Sequence, residues 1–208
     1  MPTLQGYGLT ETSPVVSCNP IEDIRIETVG IPFRCNNVKI AEDGEILVKG
    51  ENVMLGYWNK KAETNKILVD GWLHTGDIGK FVNGYLKITD RKKDILITPG
   101  GDNISPVKVE TALTNSNFIE QSLVYGDNKP YLVALIVLNS EINIKEKELN
   151  DEIEKINKNL TKIEKIKKFF VIKEKFSIEN GMMTPTLKLK RYKIISIYKN
   201  NFEELYKK

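Results

Sequence analysis

The sequence predicts a mixed α+β chain built from two packed bodies, and three observations carry that expectation. Short apolar runs alternate with turn signals in the first part, as in Val38-Lys39-Ile40, then Glu42-Asp43-Gly44, then Glu45-Ile46-Leu47-Val48-Lys49. Helical signals appear further on. Ser105-Pro106 is an N-cap with proline at the first helical position, and Ile153, Ile156, Leu160, Ile163 and Ile166 recur at three- and four-residue steps. Between these regions, Asp90-Arg91-Lys92-Lys93-Asp94 sets five charges between the β-rich run Tyr85–Thr89 and Ile95-Leu96-Ile97. A wholly charged joint between two apolar strands divides the chain into residues 1–90 and 95–208, with 91–94 as a hinge.

Composition excludes more than it selects. A chain of 208 residues can bury one large core or two small ones. It is 40% hydrophobic and 28% charged, and a net charge of +3 names no partner class. Cys18 and Cys35 lack metal-ligand or redox-motif spacing and read as buried or incidental thiols in a reducing setting. No run approaches the ~20 apolar residues that cross a bilayer; the longest, Tyr131–Leu138, suits a strand. Nothing at Met1 resembles a signal peptide, so a cytoplasmic setting is expected.

In chain order, Gln5–Thr12 reads as a strand-end loop. Gly6 and Gly8 flank Tyr7, letting the backbone lie close to a planar ligand under the phenol ring. A plain turn remains open for this stretch alone. Tyr57, Trp58 and Trp72 read as core or wall residues, and Lys60–Val69 as a short helix ending at Asp70-Gly71. From Gly71 through Gly76 and Gly79 the chain reads as a loop feeding a hairpin turned at Asn83-Gly84. His74 is the only histidine, cannot form a metal cluster, and reads as packing or loop support.

Beyond the joint, Ile95–Ile97 is a strand, Thr98–Asn103 a loop, and Ser105 opens a helix to about Leu113. Leu123–Tyr125 and Tyr131–Leu138 are strands around a turn at Gly126–Pro130. Glu141–Lys168 reads as an amphipathic helix or a broken pair with a charged outer face. Phe169–Ile172 is a strand, and a last helix buries Ile194, Tyr198, Phe202 and Leu205. Lys188–Lys193 (KLKRYK) could be a nucleic-acid patch taken alone, but no aromatic platform or wider basic face supports that partner.

Three blocks carry a resemblance: QGYGLTET at Gln5–Thr12, DGWLHTGDIGKFVNGYLKITDRKKD at Asp70–Asp94, and TPTLKLKR at Thr184–Arg191. In this order they resemble the signature segments of fatty acyl-CoA synthetases, within the adenylate-forming superfamily. ITPGGDNISPVKVE and YGDNKPYLVALIVLN bring the resemblance nearer to bubblegum-like and bacterial long-chain types than to luciferases. Departures are a hairpin one residue shorter, with Asn83 where proline is common, and Thr186-Leu187-Lys188 where many relatives have Ser/Thr-Gly-Lys.

The resemblance implies the end of a large adenylation domain with a small β subdomain, a hinge, and a mobile α+β carboxyl-terminal domain. It places Tyr7, with Gly6 and Gly8, against adenine, Thr10 on phosphate, and Glu11 on Mg2+. Asp77 would take the ribose hydroxyls of ATP, Arg91 would also reach the nucleotide, and Lys93 would be the pivot. Lys188 aligns with the catalytic lysine. Gly100 and Gly101 would line the CoA tunnel, with an ordinary loop as the open alternative, and Lys92 reads as a solvated charge.

The implied reaction joins a fatty acid to CoA with ATP, through acyl-AMP, releasing AMP and pyrophosphate. Such enzymes carry a phosphate loop and an acyl pocket upstream of QGYGLTE, where this sequence has no counterpart. The expectation is therefore a carboxyl-terminal part, inactive alone, whose partner is the missing amino-terminal part of the same enzyme. The alternative is a non-catalytic nucleotide- or partner-binding fragment. Peripheral membrane association would suit a lipid substrate.

Overall fold

The computed structural model describes residues 3–142 and 144–207, so the reading at Met1 lies outside the described residues. The chain divides between Asp94 and Ile95 into two units, each with buried clusters of its own.

In the first unit β1 (Gly6–Gly8), β2 (Val15–Cys18) and β3 (Ile31–Pro32) make a small antiparallel sheet. A second sheet follows from β4 (Asn36–Ile40) and β5 (Glu45–Gly50). After the short α1 (Lys61–Ile67) come β6 (Leu68–Val69), β7 (Trp72–Val82) and β8 (Tyr85–Arg91), giving the order β4-β5-β7-β6 with β8 on β7. Asn83 and Gly84 both take positive φ, 50° and 83°, as the tight turn between right-twisted strands requires. Val16, Ile46, Val48 and Leu86 form the core together with Tyr7.

Two readings of this unit need correction. Residues 72–82 are not a loop but an eleven-residue strand. Its glycines serve irregularities within the strand. Gly76 has a φ of 73°, and the β7–β8 pairing slips between Ile78 and Gly79. A β-carbon on Gly79 would lie 2.7 Å from the Lys87 carbonyl oxygen. Trp58 is not a core or wall residue: it is 90% exposed. Trp72 lies half-buried beneath the Lys39 ammonium, 4.1 Å from the ring centroid.

The second unit opens with the hairpin β9 (Leu96–Ile97) and β10 (Asn103–Ile104). The Ser105 hydroxyl accepts from the Lys108 N–H at 3.2 Å and starts α2 (Pro106–Thr114). β11 (Ile119–Tyr125) and β12 (Leu132–Leu138) are antiparallel. The chain then crosses through α3 (Glu146–Lys158) to β13 (Ile166–Ile172), parallel to β12. α4 (Arg191–Ile197) and α5 (Lys199–Tyr206) complete it. β12 is the central strand, and its unbroken apolar run follows from burial on both faces. Ala134 and Ile136 pack with Val109, Leu113, Leu149 and Ile153, whereas Val133, Leu135 and Val137 pack with Phe176, Ile194 and Phe202.

The helix read over Glu141–Lys168 is confined to Glu146–Lys158; Asn143, within that reading, lies outside the described residues. The buried Asn157 lies in its last turn. Its side chain donates to the Ile166 carbonyl and accepts from the Ile166 N–H, both at 2.9 Å, tying the helix end to the first residue of β13. Ile166 therefore belongs to a strand, and Ile163 is exposed. The single last helix is two, broken at Tyr198, although Ile194 and Phe202 are buried as read. Cys18 is half-buried, Cys35 exposed, and both are free thiols. Among the described residues no helix is long and apolar enough to cross a membrane.

Candidate active site

In the first unit, β1, β7 and β8 bring Tyr7, Asp77 and Arg91 together. Asp77 and Arg91 are cross-strand partners, which sets the Arg91 Nε to donate to Asp77 Oδ1 at 3.1 Å. The Tyr7 hydroxyl donates to Asp77 Oδ2 at 2.8 Å, and burial pushes its phenol above the usual range. Each oxygen of the carboxylate thus holds one bond and keeps a second acceptor site. The Arg91 side chain remains 62% exposed, so its other donors face outward. The result is a fixed carboxylate beside a free guanidinium edge.

The glycines beside Tyr7 have a local reason. A β-carbon on Gly8 would sit 1.7 Å from the Pro14 carbonyl oxygen, where β1 slips against β2 between Tyr7 and Gly8. The room they provide is used by the β1–β2 contact. Thr10 and Glu11 follow in one turn of 3₁₀ helix, Thr10–Thr12. The buried Thr12 hydroxyl accepts from the Leu9 N–H at 2.9 Å, which holds that turn and leaves Thr10 exposed. Glu11 Oε1 accepts from the Tyr57 hydroxyl at 2.6 Å, and that carboxylate pushes the phenol up to about 12. Tyr57 is thus a wall residue that orients Glu11.

Glu11, Tyr57, Thr75, Lys66 and Lys93 line one cavity of about 530 Å³ within this unit. The same cavity is also lined by a group that the sequence did not single out. Glu45 is 4% exposed and accepts from the Gly76 N–H at 2.9 Å, from His74 Nδ1 at 3.0 Å and from the Lys92 ammonium at 2.9 Å. Lys92 also pairs with Asp43 at 2.6 Å; it is exposed, as its reading as a solvated charge has it, but two carboxylates also hold it. His74, read as packing or loop support, stands on the strand β7 and holds the Glu45 carboxylate. The glutamate's only sequence signal was its place after the Asp43-Gly44 turn.

Burial pushes the Glu45 carboxyl up, but Lys92, His74 and the Gly76 N–H outweigh it and leave it below the ordinary range. A carboxyl depressed by folding contributes stability above its unfolded value, and loses it as pH falls through the folded value. Glu45→Gln is expected to lower stability at neutral pH by about 1–3 kcal/mol. That deficit should shrink below about pH 4, as the parent carboxyl also protonates. Chemical denaturation midpoints across pH check both parts.

The remaining candidates lie in the second unit. Gly100 and Gly101 form the exposed β9–β10 turn, where Gly101 has a φ of 88° and donates to the Thr98 carbonyl at 2.9 Å. Lys188 stands on a tight turn. The Leu187 N–H donates to the Thr184 carbonyl at 2.9 Å, and the Lys188 N–H to the Thr184 hydroxyl at 3.0 Å. Leu187 takes a left-handed φ of 59°, where many relatives of the resembled family have glycine. The Lys188 side chain is exposed.

The profile of the AMP-binding enzyme family matches residues 1–58, and that of the AMP-binding enzyme C-terminal domain matches residues 93–208. The chain belongs to the AMP-binding enzyme family. This AMP-binding enzyme chain is 35% identical to the long-chain-fatty-acid–CoA ligase FadD15 of Mycobacterium bovis, over 98% of the chain and 38% of the ligase. It is 35% identical to long-chain-fatty-acid–CoA ligase 5 of Rattus norvegicus, over 97% of the chain and 35% of the ligase. It therefore spans little more than a third of the length of these relatives.

Among solved structures, the adenylation domain of a carboxylate reductase from Mycobacterium chelonae superposes with a TM-score of 0.83 at 25% identity. That match covers 98% of this chain and 34% of the other. An o-succinylbenzoate coenzyme A synthetase from Bacillus subtilis, in complex with ATP and magnesium ion, superposes at 0.73 with 30% identity, covering 92% and 41%.

Proposed function

We propose that the chain is the carboxyl-terminal part of an AMP-forming long-chain fatty acid–CoA ligase. The observation that carries this reading is the Tyr7–Asp77–Arg91 cluster, a preorganised, largely buried carboxylate with one bond on each oxygen beside exposed guanidinium donors. A nucleoside offers a matching pair of ribose hydroxyls and an adjacent phosphate. Similarity to long-chain ligases over nearly the whole chain supports the fatty-acid substrate.

In the first half-reaction a carboxylate oxygen attacks the α-phosphorus of ATP, and the bond to pyrophosphate breaks. Anion approaches anion, so catalysis is positioning and charge stabilisation. Asp77 and Arg91 would hold the nucleoside, Thr10 would steady phosphate, and Lys188 would bridge carboxylate and phosphate oxygens. Glu11 fits Mg2+: its half-buried carboxylate is oriented by Tyr57 at the cavity, and this metal is commonly held by one or two carboxylates plus substrate phosphates. When bound, Mg2+ would neutralise phosphate charge. In the second half-reaction the CoA thiol attacks the acyl carbon and AMP leaves. Gly100 and Gly101 would admit the pantetheine arm, and movement about Lys93 would exchange the two tasks.

The first unit also leaves Ile21, Ile26 and Phe33 exposed, at 64%, 80% and 46%. Exposed apolar side chains of this kind fit an amino-terminal part of the same enzyme as partner. The setting that suits the reading is cytoplasmic, with the lipid substrate met at a membrane surface.

Fatty-acid-dependent AMP release from ATP and CoA tests this reading. The chain alone is expected to be inactive, and the chain extended at its amino end by the corresponding part of a relative active. Two folded, ATP-binding but inactive proteins would instead support a non-catalytic nucleotide-binding fragment.

A further inference from the structure

The outer edge of the second unit's sheet is gripped from both faces. β11 is an edge strand, and the Val124 N–H on it donates to Glu110 Oε1 at 2.7 Å. The Val124 carbonyl accepts from Arg191 Nη1 at 3.4 Å, and Arg191 Nη2 donates to Glu110 Oε2. Backbone, carboxylate and guanidinium thus close a ring around one residue of the strand edge. Glu110 comes from α2, in the cluster against one face of the sheet, and Arg191 opens α4, in the cluster against the other. Their side chains are only 10% and 14% exposed.

Arg191 stands three residues after Lys188. The exposed lysine sits on a turn closed by Thr184, whose hydroxyl accepts from the Lys188 N–H and whose N–H donates to the Lys188 carbonyl, and the two arms of that turn place it against the sheet. The entering arm is anchored by the buried Met182, whose carbonyl accepts from the Lys190 N–H at 2.8 Å. The leaving arm is anchored by Leu189, packed against the same buried cluster as Met182, and at its end by the ring at Val124. We infer that Glu110 and Arg191 are positioning residues for Lys188, holding its turn against the β11 edge through the Val124 backbone. The link to catalysis rests on the reading of Lys188 as the adenylate-forming lysine; the anchoring itself does not.

The fork of a guanidinium can bond Glu110 and the Val124 carbonyl together, and a lysine ammonium cannot reproduce that pattern. Glutamine at 110 keeps an acceptor for the Val124 N–H and loses the charge. Hydrogen–deuterium exchange on the 208-residue chain therefore compares Arg191→Lys, Glu110→Gln and the double variant.

The Leu187, Lys188 and Lys190 amides are expected to exchange roughly tenfold faster in each variant, with the β12 amides unchanged and the double variant no faster than a single one. Unchanged exchange at the turn, or an equal rise in β12, overturns the inference. In the chain extended at its amino end, the same variants should lower kcat for acyl-AMP formation about tenfold with KM for ATP kept. Equal loss of thioester formation from supplied acyl-AMP overturns the positioning role. Absence of adenylate formation in the parent protein counts against the ligase reading, while exchange still decides the anchor.

Discussion

Lys188→Ala, in the chain extended at its amino end, is expected to cut acyl-AMP formation by about 10²–10³-fold. Thioester formation from supplied acyl-AMP should stay near its original rate. The asymmetry follows from the charge problem in each step. A carboxylate meeting a triphosphate needs a cation between the two, whereas a thiol attacking a mixed anhydride does not. The turn carrying Lys188 is held by its own hydrogen bonds, so truncating the exposed side chain should not disturb the backbone. Single-turnover kinetics of each half-reaction decide it. Equal slowing of both would remove Lys188 from its proposed role.

Phe202→Ala is expected to cost about 3–5 kcal/mol, the usual penalty for deleting a buried ring. Phe202 is 1% exposed and lies 4.6 Å, centroid to centroid, from the Tyr125 ring. It joins α5 to the sheet face that also takes Ile194 and Leu135. At about 4 °C or more per kcal/mol for a unit of this size, the unfolding midpoint should fall by more than about 10 °C. Trp58→Ala, by contrast, should change stability by no more than about 0.5 kcal/mol, because that ring is already in solvent. Thermal melts of the two variants side by side separate a packed aromatic from an exposed one.

That pair shows where sequence reasoning reached and where it stopped. Helical spacing marked Ile194 and Phe202 as inward, because apolar side chains on one helix face must be buried against something. Trp58 had no periodic partner, and aromatic identity alone said nothing about its burial. The periodicity running through Ile163 and Ile166 was misleading for a related reason. The helix stops at Lys158, and the Asn157 side chain ties its end to Ile166 by two hydrogen bonds, a contact between residues whose meeting no local pattern announces. Glycines at 76 and 79 looked like loop residues, yet they let a long strand bend and slip.

By itself the sequence determined most of the turns, many of the strands and helices, the charged joint and the three blocks that carry the resemblance. These are local properties, set by backbone freedom, capping and side-chain period. Only the tertiary structure decided which charges are held and by what. Asp77 is held by Tyr7 and Arg91, Lys92 by Asp43 and Glu45, and Arg191 by Glu110. In each case the partner comes from another strand, helix or turn, as far as 81 residues away in the chain for Arg191 and Glu110. Hydrogen bonds and ion pairs act over a few ångströms of space, and that proximity exists only once the strands have paired and the helices have packed.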